Sequence, residues 1–104
     1  LDTFPYPGVT TTLESILMGV PVLTMEGFNF NSRCGASINK NIGMMSLIAS
    51  NYDEYISIAN KLSKDGELHK KNGKKLREKA INSPLCDTLT FAKDFEKILK
   101  DIYI

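Results

Sequence analysis

The stretch FPYPGVTTTLESILMGVPVLTM, from Phe4 to Met25, decides the fold. A Pro/Gly turn, Pro5 to Gly8, leads into three consecutive threonines, Thr10 to Thr12, and then into apolar residues at helical spacing. That spacing predicts a helix from Thr11 to Met18, closed by Gly19, whose lack of a Cβ tolerates the left-handed backbone of a helix end. Pro21 opens PVLTM, a short β-rich apolar run of the kind found in strands covered on both faces. With Leu1 to Thr3 as the end of an earlier strand, the order is strand, loop, helix, strand. The economical reading is a parallel βαβ unit in an α/β fold.

The threonines pose the chemical question. The start of a helix presents several amides without internal partners and about half a positive charge, a natural cradle for phosphate. Gly8 would let the backbone approach a ligand closely, and the hydroxyls of Thr10, Thr11 and Thr12 would add donors, so that a diphosphate could be held without a lysine or a metal. In an open α/β sheet such a turn lies at the carboxyl end of a strand, where ligands bind. A plainer alternative stands beside this one. Thr11 and Glu14 have the spacing of a capping box, in which the two side chains satisfy two free amides between them. Glu14 also suits a second role, accepting hydrogen bonds from the two hydroxyls of a ribose.

Further along, Gly27 to Asn31 is a loop, and Ser32 to Asn39 begins another helix that closes near Gly43. Met44 to Ala49 is a third short strand or a buried connector. Asn51 and Glu54 are spaced as a cap whose glutamate returns to the cap's own amide. Tyr55, Ile58, Ala59 and Leu62 then recur at helical intervals, predicting an amphipathic helix from Asn51 to Ser63. A second helix, 66–82, carries Lys70, Lys71, Lys74, Lys75, Arg77 and Lys79 around a narrow apolar side of Leu68, Leu76 and Ala80. No aromatic residues interleave with the lysines, so a solvated face is expected rather than a nucleic-acid patch. Pro84 stops it. Phe91, Phe95, Ile98, Leu99 and Ile102 mark a terminal helix from Thr88 to Tyr103, capped by Asp87 or Thr88. The second half of the chain is thus helix-rich.

Length and composition set the bounds. The 104 residues suit one small domain, and 42% apolar residues are enough for a core. Because the chain begins at Leu1, it is expected to be a piece of something longer. Its 13 basic and 12 acidic residues give a net charge of +1, so no overall field draws in nucleic acid or an anionic membrane. No apolar run approaches the roughly 20 residues that cross a bilayer, and no signal peptide is evident. Cys34 and Cys86 form no CxxC, and His69 is the one histidine. Neither a zinc site nor a disulfide framework is expected, but two reduced, packed thiols and a cytoplasmic location. His69 lies among lysines, and no role is assigned to it.

At LDTFPYPGVTTTLESILMGVPVLTM the chain resembles the donor-binding lobe of the O-GlcNAc transferase and SPINDLY family of protein O-glycosyltransferases. The similarity continues through GFNFNSRCGAS, IGMMSLIASNYDEYISIANKL and SPLCDTLTFAKDFEKIL, and so covers nearly the whole chain. It implies a GT-B architecture of two Rossmann-like lobes with a nucleotide sugar between them. Residues 1–104 would be the C-terminal part of the donor-binding lobe, ending in a helix that packs back toward the first. The other lobe and probable tetratricopeptide (TPR) repeats would lie upstream. The family transfers a sugar to Ser or Thr hydroxyls with inversion and without a metal or other cofactor. Its diphosphate contacts carry over to Gly8, Thr10 and Thr11, and its ribose-binding acid to Glu14. The implied partners are a nucleotide sugar and a protein acceptor, with neither nucleic acid nor membrane.

One position departs from the pattern. Animal O-GlcNAc transferases place a histidine immediately before the paired threonines, and here Val9 stands there. The FPY turn and TTTLES look closer to SPINDLY, whose donor is GDP-fucose. UDP-GlcNAc is ranked ahead of GDP-fucose as the donor. Val9, Thr12 and Arg33, the last at a helix start where it could face the donor, complete the candidate donor set, with ion pairing the alternative for Arg33. Two other classes are carried along: a nonenzymatic helical module whose basic helix binds an acidic protein, and a Rossmann-like nucleotide-sugar enzyme such as an epimerase.

Overall fold

The computed structural model describes residues 1–103, with the side chains of 66–71 left aside. Among the described residues there are five helices: α1 (Thr10–Leu17), α2 (Cys34–Asn41), α3 (Tyr52–Lys64), α4 (Gly66–Ile81) and α5 (Thr88–Ile102). Two short strands, β1 (Thr24–Met25) and β2 (Ile48–Ala49), pair in parallel, with Thr24 opposite Ile48 and Met25 opposite Ala49. Single 3-10 turns lie at Phe30–Ser32, Met45–Leu47 and Pro84–Cys86.

A βαβ unit is present, one step later in the chain than expected: β1, α2 and β2 form it. Leu1–Thr3 is not a strand. The Asp2 amide does donate to Leu23 O at 2.9 Å, but the Asp2 carbonyl is taken by the Tyr55 hydroxyl at 2.6 Å, and the ladder ends there. The segment expected as a third strand or buried connector divides into a 3-10 turn and β2.

Helix ends follow local chemistry. Gly19, at φ 81°, lets α1 close with paired bonds from Gly19 N to Ile16 O and from Val20 N to Ser15 O. Asn51 caps α3 through Glu54 N at 2.8 Å, but the Glu54 carboxylate reaches Ser50 N, one residue before the cap's own amide. Asp87 caps α5, accepting from Thr90 N at 3.0 Å and from Thr90 Oγ1 at 2.7 Å. Those bonds, the hydroxyl's first, hold the Asp87 carboxyl below its ordinary range.

The core joins Ile16 of α1, Ile38 of α2 and Ile42 at its end, and Leu76 and Ala80 of α4, with Leu13 and Met44 against it. Leu76 and Ala80 thus lie on the side expected, while the side chains of Leu68, His69, Lys70 and Lys71 fall outside the described residues. Arg77 is not simply part of a solvated cationic face: its Nη1 donates to Leu17 O at 2.9 Å, closing the end of α1. Tyr55, Ile58, Ala59 and Leu62 are half-buried along α3. In contrast, α5 is exposed along its whole length, including Phe91, Phe95, Ile98 and Leu99, and leans mainly on the Pro84–Cys86 turn. Both cysteines are free; Cys34 is half-buried, whereas Cys86 is exposed and not packed as expected. Among the described residues, no helix is long and apolar enough to cross a membrane.

Candidate functional site

The capping box expected of Thr11 and Glu14 does not form. α1 begins one residue earlier than its periodicity suggests, so the cap position falls to Val9, which has no side chain able to accept a hydrogen bond. The first bond of the helix is Leu13 N to Val9 O at 3.0 Å. Among the described residues, the amides of Thr10, Thr11 and Thr12 have no hydrogen-bond acceptor. Three donors at the positive end of a helix dipole are therefore free to meet an anion.

The three threonines are not equivalent. Thr10 and Thr11 are exposed. Thr12 is buried, and its hydroxyl donates to Gly8 O at 3.1 Å. Its side chain is thereby withdrawn from the candidate donor set, which leaves only its backbone amide to offer. Gly8 has a steric reason to be glycine: a Cβ there would collide with Thr11 Oγ1 and lie 3.1 Å from Thr12 Oγ1. The hydroxyls that the sequence places beside Gly8 thus occupy the space its missing side chain leaves. Glu14 is exposed on the second turn of α1.

A cleft of about 410 Å³ opens beside this helix start, lined by Val9, Phe30, Arg33, Cys34, Ser37 and Ile38. Its size lies within the usual range of ligand pockets. Val9 and Arg33 are the cap residues of α1 and α2, and α2 also begins without a side-chain cap. Two helix starts therefore border one cleft, past the carboxyl end of β1. Arg33 lines the cleft and pairs with Glu26 at 2.6 Å, so the ion pair expected as its alternative is formed. Lys40 approaches the same Glu26 oxygen at 3.4 Å.

Asp2 is not among the candidate residues of the sequence, yet it ties the region together. Its Oδ1 accepts from Thr3 N at 2.9 Å and Gly8 N at 2.8 Å, and its Oδ2 accepts from Thr24 Oγ1 at 2.9 Å. The phenol that bonds its carbonyl, Tyr55, has its pKa raised, first by burial and second by the Asp2 charge, with the hydrogen bond to Asp2 opposing. An Asp shortly before a Pro/Gly turn was the available clue, but its partners lie on three separate segments.

Parallel strands joined by a helix define an α/β segment. The chain belongs to glycosyl transferase family 41, whose model matches residues 1–95. The "Probable UDP-N-acetylglucosamine--peptide N-acetylglucosaminyltransferase SPINDLY" of Solanum lycopersicum is 42% identical over 103 residues, 99% of this chain and 11% of that protein. The protein of the same name from Arabidopsis thaliana is 38% identical over the same share of each. A Caenorhabditis elegans peptide N-acetylglucosaminyltransferase is 29% identical, over 99% of this chain and 9% of its own length. Among solved structures, a mutant O-GlcNAc transferase of Thermobaculum terrenum matches with a TM-score of 0.86 at 32% identity, covering 98% of this chain and 20% of that one. The chain spans about 11% of the length of the plant relatives it matches.

Proposed function

We propose that this chain is the C-terminal part of a GT-B donor-binding lobe and that it grips the diphosphate of a nucleotide sugar. The observation that carries this reading is the open start of α1, where three unpartnered amides adjoin a cleft that a second uncapped helix and Arg33 also border. Thr10 and Thr11 add hydroxyl donors, and Glu14, one turn along α1, takes the ribose. The names of the relatives favour a protein acceptor and a UDP-GlcNAc donor for the whole enzyme. Transfer to Ser or Thr with inversion is then a direct displacement. The acceptor oxygen bonds to the anomeric carbon and gives up its proton to a base of the whole enzyme or to the departing diphosphate, while the bond to the nucleotide diphosphate breaks and its electron pair leaves with the phosphate.

Charge builds on that leaving group, so donors already aimed at it lower the barrier without rearranging. Each such donor is worth about 2.7 to 4 kcal/mol in enzymes where one has been removed. Val9 places no hydrogen-bonding side chain at the mouth of the cup, which keeps GDP-fucose as the second reading. Isothermal titration of the full-length protein with UDP, GDP and their sugars tests both. Binding of either diphosphate, competitive with its sugar nucleotide, supports the cup, and the base that binds selects between the donors. Absence of binding by both ends the proposal.

A further inference from the structure

We infer that Asp2 is the positioning residue of the diphosphate cup, fixing where α1 begins relative to the sheet. This rests on the reading of the cup given above. Gly8, the last residue before the cap of α1, has its amide and carbonyl both tied down. Its amide donates to Asp2 Oδ1 at 2.8 Å, and its carbonyl accepts from the Thr12 hydroxyl at 3.1 Å. The other carboxylate oxygen of Asp2 takes the hydroxyl of Thr24 on β1 at 2.9 Å. A continuous chain of hydrogen bonds therefore runs from β1 through Asp2 and Gly8 to the first turn of α1.

Two more elements pack against Asp2. The Tyr55 hydroxyl on α3 holds the Asp2 carbonyl at 2.6 Å. A Cβ at Gly35 in the first turn of α2 would collide with Thr24 Oγ1 and come within 2.8 Å of Asp2 Oδ2. Gly35 is thus glycine because α2 lies directly on the Asp2–Thr24 bond. Both helices that start at the cleft are registered against the same carboxylate. A carboxylate suits this position because it is acceptor-only and meets three donors here. Its charge can also polarise the Gly8 peptide, whereas an amide in its place would turn an N–H₂ toward one of those donors.

Asp2 does not touch the proposed ligand, so its effect must appear through the cup it shapes. The test uses full-length protein carrying Asp2→Ala or Asp2→Asn, with Thr24→Val as the variant that removes one partner alone. Affinities for UDP, GDP, UMP and GMP are read by calorimetry. For the diphosphate that wild type binds, Asp2→Ala is expected to raise Kd by about tenfold or more, and the matching monophosphate's by less than about threefold. Asp2→Asn keeps one acceptor oxygen and should fall between, with a diphosphate-selective loss of about threefold. Thr24→Val should resemble Asp2→Asn.

If Asp2→Ala does not fold, Asp2→Asn carries the same comparison. Equal affinities in wild type and the Asp2 variants, or equal losses for mono- and diphosphate, overturn the positioning role and leave the cup standing. A wild-type protein that does not prefer the diphosphate removes both.

Discussion

Gly19 and Gly73 meet backbone to backbone, where the end of α1 crosses the middle of α4. A Cβ on Gly73 would come within 2.9 Å of Gly19 O, and one on Gly19 within 2.7 Å of Gly73 O. In an exposed helix Gly73→Ala would stabilise by about 0.5–1 kcal/mol through the lower entropy of the unfolded chain. Here the crossing has no room, and overpacking of this kind costs about 1–3 kcal/mol. Gly73→Ala is therefore expected to lower the hydrogen-exchange protection of α1 and α4 in the full-length protein. Increased protection there would show that the crossing is loose.

Thr11 and Thr12 are adjacent but separable. Thr11→Val removes an exposed hydroxyl beside the open helix start, and turnover with the nucleotide-sugar donor should fall by about tenfold or more with the melting temperature held. Thr12→Val removes the buried bond to Gly8 O and leaves that carbonyl short of a partner. A loss of about 1–3 kcal/mol in stability is expected. Opposite assignments in the two melting curves would reverse the roles given to these side chains.

At the start of α5, the depressed Asp87 pKa sets a pH dependence. A carboxyl whose folded pKa lies below its unfolded value stabilises above the unfolded pKa, and that contribution fades as pH falls through the folded one. Exchange protection of the first turn of α5 should thus be lost on acidification below the ordinary carboxylate range. Asp87→Asn keeps a capping oxygen and should flatten that profile; an unchanged profile would mean another group titrates there.

Tyr55 behaves in the opposite sense. Its raised pKa means that the bond to Asp2 O contributes below the ordinary tyrosine value, about 10, and is lost as pH climbs through the higher folded value. Phenolate absorbance should show a late component, titrating above the ordinary tyrosine value. Tyr55→Phe should abolish that late component, and its persistence would assign it to a different phenol.

Much of this was legible because it is local. The Gly19 closure, the Asn51 and Asp87 caps, and the apolar sides of α3 and α4 depend on residues a few positions apart. Three features were not. α1 starts at Thr10, behind a valine that cannot cap it, because Gly8 is held by Asp2, so the local Thr11–Glu14 pattern loses to a tertiary restraint. In the sequence Arg77 reads as one more surface cation, because its acceptor, Leu17 O, lies 60 residues away. The strand expected at Leu1–Thr3 is interrupted by a phenol 53 residues downstream of Asp2. For the threonines, residue type was readable from the start, but the division of labour among them depended on knowing which one faces inward.

The most direct measurement is a crystal structure of the full-length protein with the nucleoside diphosphate it binds. Phosphate density is expected against the amides of Thr10 to Thr12 and the hydroxyl of Thr11, beside the cleft that Val9 and Arg33 border. Phosphates bound elsewhere, with those three amides still unpartnered, would contradict the account.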